Sequence, residues 1–125
     1  MKQVSSQHSV SEVVSKIKAI LDEKQIKCFT IFDHAREADQ VGLSLPETQV
    51  IVFGDPKVGT FLMQQDNRVA IALPLKLLVW DNHGKTHIGY ELPSLLGQNY
   101  ALKKHQPILE KMDGLMDKLA HAAAA

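Results

Sequence analysis

From residue 10 onward the apolar positions Val10, Val13, Val14, Ile17, Ile20 and Leu21 fall three and four apart, the spacing of one face of a helix. Ser9 and Glu12 stand ahead of that stripe as a capping box, in which hydroxyl and carboxylate each satisfy an orphan amide. Residues 26–32 read as a strand, and Asp33 is placed to cap a helix over 35–40 that Gly42 stops. Residues 48–53 form a nearly continuous apolar run, which predicts a strand buried on both faces. Gly54-Asp55-Pro56 follows. Asp at the cap and Pro in the first turn predict a short helix through 63–65, because Pro has no amide to leave unpaired.

Residues 69–73 fit helix or strand equally well. Residues 75–81 and 85–92 are two β runs around Asn82-His83-Gly84, a hairpin signal. Pro107 opens a last helix with a stripe at Ile108, Met112, Leu115 and Leu119, Leu109 and Met116 lying beside it; residues 122–125 are expected to fray. A short first strand over 3–7 is also expected. The order is β, α, β, α, β, short α, β, β, α in a single domain over 1–125, with no repeat or linker. The closing hairpin breaks strict βα alternation, so the expected class is α+β, with helices on one face of the sheet.

Composition narrows the function classes. Hydrophobic residues make up 45%, an ordinary globular share. Fourteen Lys and Arg balance fourteen Asp and Glu, so the chain lacks the positive field with which nucleic-acid binders gather phosphates. No apolar run approaches bilayer length and residues 1–11 do not resemble a secretory signal. The single Cys28 allows no internal disulfide. A cytoplasmic protein is expected, without nucleic-acid or membrane partners.

Candidate chemistry is sparse. Gly54 to Thr60 follows a strand and opens a helix, as a phosphate-binding loop does. Lys57 comes too early for that motif and Asp55 would repel a phosphate, which excludes nucleotide hydrolysis. A helix amino terminus there still offers amides to a small anion or polar ligand. Asp33-His34 reads either as an oriented imidazole base or as a helix cap with its first-turn residue. His83 and His87 lie on a turn and a strand, where a spacing of four has no metal-binding meaning, and no metal site or cofactor is expected. Tyr90 and Trp80 are expected to pack across the hairpin, and Met112 and Met116 to fill the core. No catalytic set is identified.

The runs Phe29-Thr30-Ile31-Phe32-Asp33-His34-Ala35, then Val52-Phe53-Gly54-Asp55-Pro56-Lys57-Val58-Gly59-Thr60 with Leu62-Met63, then Ala72-Leu73-Pro74-Leu75-Lys76-Leu77-Leu78-Val79-Trp80, and finally Tyr90, resemble the family called domain of unknown function 302. The resemblance covers residues 29–90. Asp55 stands where that family often has Asn, and Phe61 where Pro is frequent. It implies a curved, mostly antiparallel sheet with helices on one side, of the TATA-box-binding-protein-like class, and no established activity. It also implies a homodimer, since some such proteins assemble as dimers.

By position, the motif residues are Asp33, His34, Gly54, Pro56, Lys57, Gly59, Thr60, Met63, Pro74 and Tyr90. The expected site lies between the sheet and the 54–60 loop. There Lys57, Gly59 and Thr60 would hold a small polar or anionic ligand, with His34 and Tyr90 as polar contacts. The alternatives are an interaction module that pairs through its sheet or last helix, and an enzyme using His34 as base with Lys57 stabilising an oxyanion.

Overall fold

A computed structural model describes residues 1–125. Five strands form one antiparallel sheet: β1 (Lys2–Ser6), β2 (Lys27–Asp33), β3 (Thr48–Gly54), β4 (Leu75–Asn82) and β5 (Lys85–Tyr90), in spatial order β1-β5-β4-β3-β2. The helices are α1 (Val10–Glu23), α2 (His34–Gln40), α3 (Pro56–Gln65), the single turn α4 (Leu96–Asn99) and α5 (Gln106–Ala124). The ambiguous stretch is a 3₁₀ segment, Asn67–Ala72. The class is α+β, as the pattern predicts.

Local signals account for most boundaries. Glu12 N–H donates to Ser9 Oγ at 3.1 Å and Ser9 N–H to Glu12 Oε1 at 3.3 Å, so the capping box is complete. The hairpin turns on His83 and Gly84, both at positive φ (53° and 89°), as a two-residue turn matching strand twist requires.

Side-chain alternation sorts the sheet into two faces. Ile51, Phe53, Leu77, Val79, Ile88 and Tyr90 point to the side covered by α1 and α5, where Val13, Ile17, Leu21, Met116, Leu119 and Ala120 complete the main core. A smaller core sits beyond the end of the sheet, built from Leu62, Val69, Leu102, Leu109 and Met112. α5 bridges the two. Its buried stripe is Leu109, Met112, Met116, Leu119, Ala120 and Ala123, so Ile108 and Leu115 flank it rather than form it.

Two further expectations are corrected. The alanine tail does not fray: Ala123 is fully buried, and Ser6 Oγ donates to the Ala124 carbonyl at 2.8 Å. Trp80 does not face Tyr90. It pairs with His87 across the hairpin and stacks on it, ring centroids 5.2 Å apart. Positions 87 and 90 have opposite parity on β5, so Tyr90 points into the main core.

Candidate functional site

The apolar run of β3 ends at Gly54, and the chain turns directly into α3. Asp55 Oδ1 accepts the Lys57 amide at 2.9 Å, Gly59 N–H reaches the Asp55 carbonyl at 3.0 Å, and Thr60 Oγ1 donates to the Pro56 carbonyl at 2.6 Å. The helix start read from Asp55-Pro56 is therefore built as expected.

Beneath this turn lies a cavity of about 340 Å³ with a predominantly carbon surface. One wall is the β3–α3 turn with Gly54, Pro56, Gly59, Thr60 and Met63; another is Leu73, Pro74 and Leu75 at the start of β4. Ile26 and Phe29 close it from the α1–β2 side, and Met112 and Leu115 of α5 from below. The Leu73–Pro74 peptide bond is cis. A Cβ added to Gly59 would meet Leu73 and Met63, both lining residues, at 3.9 Å. That glycine keeps open space which a side chain would occupy.

Six of the ten motif residues, Gly54, Pro56, Gly59, Thr60, Met63 and Pro74, thus line one cavity. The other four do not. Asp33 caps α2, accepting the Arg36 amide at 3.1 Å, and His34 is exposed and stacks on Phe32. Lys57 is exposed on α3. Tyr90 is 2% exposed and donates its hydroxyl to Asp117 Oδ1 at 2.5 Å, on which Lys2 Nζ also donates at 2.9 Å. Burial and the Asp117 bond push the Tyr90 hydroxyl well above the usual tyrosine range. Asp117 is held below the ordinary carboxylate range by the tyrosine hydroxyl first and Lys2 second.

Register also separates His34 from Lys57. Asp33 pairs with Gln49 near the start of β3, whereas Lys57 follows Gly54 at its end. Those ends lie roughly 17 Å apart at the ordinary rise of a strand. His34, Lys57 and Tyr90 do not converge on one atom, which is what the base-and-oxyanion alternative requires.

The sequence reading missed Phe29 and the α5 wall. Phe29 sits at a bulge between Cys28 and Thr30, 41% exposed, with Lys27 Nζ 4.8 Å from its ring centroid. No turn residue announces that bulge. The 3₁₀ segment adds Ala70 to the lining as a further wall, and its start is anchored by Asp66. Asp66 takes two bonds from the Arg68 guanidinium, at 3.0 and 2.8 Å, and one from the Ala101 amide at 3.0 Å. These contacts, the guanidinium first, hold its carboxyl far below the usual range.

No helix is long and apolar enough to cross a membrane. Proteins similar to this chain include the fluoride-specific ion channel FluC 1 of Brucella suis biovar 1 (strain 1330), 37% identical over 100 residues, covering 79% of this chain and 39% of that protein. FluC 2 of Brucella melitensis biotype 1 is likewise 37% identical over 100 residues, covering 79% of this chain and 37% of that one. The chain thus spans under two-fifths of the length of these relatives. Among solved structures, an uncharacterized conserved DUF302 protein from Bacillus stearothermophilus superposes with a TM-score of 0.75, covering 98% of this chain and 94% of that one. At 18% identity it shows the shared fold alone. The family model described as domain of unknown function DUF302 matches residues 2–119, and this chain belongs to that family.

Proposed function

We propose that this domain is a non-enzymatic binding module, acting as a homodimer, that takes a small and largely apolar ligand in the cavity under the β3–α3 turn. The observation that carries the reading is the convergence of Gly54, Pro56, Gly59, Thr60, Met63 and Pro74 on one carbon-walled space. Its volume, about 340 Å³, falls in the range of small-molecule sites. A cavity of roughly half that size holds benzene, so the ligand has on the order of a dozen non-hydrogen atoms. Thr60 and Asp55 are among the few polar residues of the lining, and a ligand with at most one polar, uncharged end suits such a space. Support for an anion held by Lys57 is weaker, because Lys57 is not part of the lining and Asp55 is.

The test is a thermal-shift screen of n-alkyl alcohols, alkylphenols and medium-chain fatty acids, since a ligand that binds only the folded state raises the melting temperature by mass action. Gly59→Leu, which fills the space, is expected to abolish the shift, and Lys57→Ala to leave it intact. Equal shifts in parent and Gly59→Leu would place the ligand elsewhere.

A second reading is favoured by the relatives. Proteins named as fluoride-specific ion channels contain about 100 residues similar to this chain. We read that segment as a module appended to the channel, and this domain as an accessory of the same kind. Fluoride efflux from vesicles carrying the Brucella channel, with and without the matched segment, tests it; identical efflux removes this reading.

A further inference from the structure

A second cavity, of about 300 Å³, lies beside the first at the same end of the sheet. The two flank the start of β4. The first sits on the β3 side, against Gly54, and the second on the β5 side, against Leu92 and Pro93 just beyond Tyr90. α5 borders both: Met112 and Leu115 line the first, and Met116, one turn on from Met112, lines the second. The 3₁₀ segment is divided in the same way, Ala70 lining the first and Ala72 the second. Only Pro74 and Leu75 line both. Alternation along β4 puts Leu75 on the covered face with Leu77 and Val79, and its side chain packs against the main core and the smaller core at once. Pro74 is a short ring held against the backbone, where a Cβ on Gly54 would meet it at 3.6 Å. Leu75 is therefore the part of the wall that a shorter side chain would remove.

We infer that Leu75 is the partition that sets the length of ligand the first cavity accepts, and that this ligand is a straight alkyl chain whose apolar end stops against it. The inference rests on the small-ligand reading above and names the ligand class and the residue that selects within it. A compact ring system fills the first cavity without testing that wall, whereas a straight chain reaches it and is halted. The space past the wall is itself largely apolar, bordered by Leu92, Leu96 and Met116. A chain let through would gain by burying further methylenes there, so the limit is imposed by the Leu75 side chain and not by what lies beyond it.

Binding of straight-chain primary alcohols from butanol to dodecanol, read from the melting temperature of the full chain, tests the inference, with circular dichroism to confirm that each variant is folded. In the parent each added methylene should tighten binding roughly fourfold until the chain meets Leu75, after which affinity falls. Leu75→Ala should move the strongest binder to chains longer by about four carbons or more, since a cavity half the size of the second already holds benzene. Leu75→Val, gentler on both cores, should move it the same way by less, and carries the test alone if Leu75→Ala does not fold. Ala72→Phe, which fills the second cavity, should restore the parent's optimum when added to Leu75→Ala and leave it unchanged by itself. A parent that binds none of the alcohols overturns the small-ligand reading, and the partition with it. A parent with a clear optimum that neither Leu75 variant moves leaves that reading standing and overturns the partition. An optimum that Ala72→Phe alone shortens also overturns it, because the ligand would then already span both cavities.

Discussion

α5 runs over two regions packed to different standards. Its carboxy-terminal half closes the main core, where Ile17, Phe53, Leu77 and Ile88 are fully buried and α1 meets the sheet. Its amino-terminal half lies over the smaller core, where Met112 borders a cavity of about 340 Å³. The main core is assembled from regular elements with matching periods, six residues on strands meeting the stripes of two helices. The smaller one joins α3, a 3₁₀ segment and the irregular stretch before α5, whose surfaces share no period and leave space between them. Complete packing serves stability. Incomplete packing beside a motif-rich turn is where a binding function has room, because close-packed interiors tolerate few voids of that size.

Mutations that remove the same kind of side chain should therefore cost different amounts in the two regions. Phe53→Ala, in the main core, is expected to lose about 3–5 kcal/mol of unfolding free energy in urea. Met63→Ala, facing the cavity, should lose under about 1.5 kcal/mol, since its side chain already lacks neighbours on one side. Equal costs would mean that the cavity region is packed as tightly as the main core, and the contrast would collapse.

Acid should expose the links that hold each region together. Asp66 and Asp117 have carboxyls held below their unfolded values, so the unfolded chain binds more protons and stability falls as pH drops from the ordinary carboxylate range toward the lowered folded values. Urea midpoints measured between pH 6 and pH 3 should decline, and Asp66→Asn should flatten part of that decline. An unchanged slope in the variant would show that the Arg68–Ala101 anchorage is not what holds the 3₁₀ wall.

The smallest effect is the most discriminating. Gly59 lies inside α3, where Ala is favoured by up to about 1 kcal/mol, and the new Cβ meets its neighbours at ordinary distance. Gly59→Ala should raise the melting temperature by a few degrees while weakening ligand binding. If it stabilises and binds as the parent does, the glycine serves the backbone and not the cavity.

Much of the fold was legible in the residues. Capping boxes, Asp-Pro helix starts and hairpin turns act over four or five positions, and alternation identifies a strand without knowing its partner. The candidate site was half legible. The turn from Gly54 to Met63 is recognisable by its backbone chemistry, but the family pattern groups His34 and Tyr90 with it although strand register carries them elsewhere. Tyr90 has a polar group, and only the packing of α5 shows that Asp117 satisfies it inside the protein. Phe29 and Leu115 joined the cavity through a bulge and a helix crossing, neither of which has a local signature.

What the sequence by itself determined is the set of elements, the antiparallel hairpin and the apolar run that marks β3 as an interior strand, since each follows from interactions between near neighbours along the chain. Tertiary structure alone decided which face of the sheet is covered, which stripe of α5 is buried and that a cavity remains beneath the β3–α3 turn. Those outcomes depend on how surfaces from distant segments fit, and fit is a property of shapes that no single segment carries.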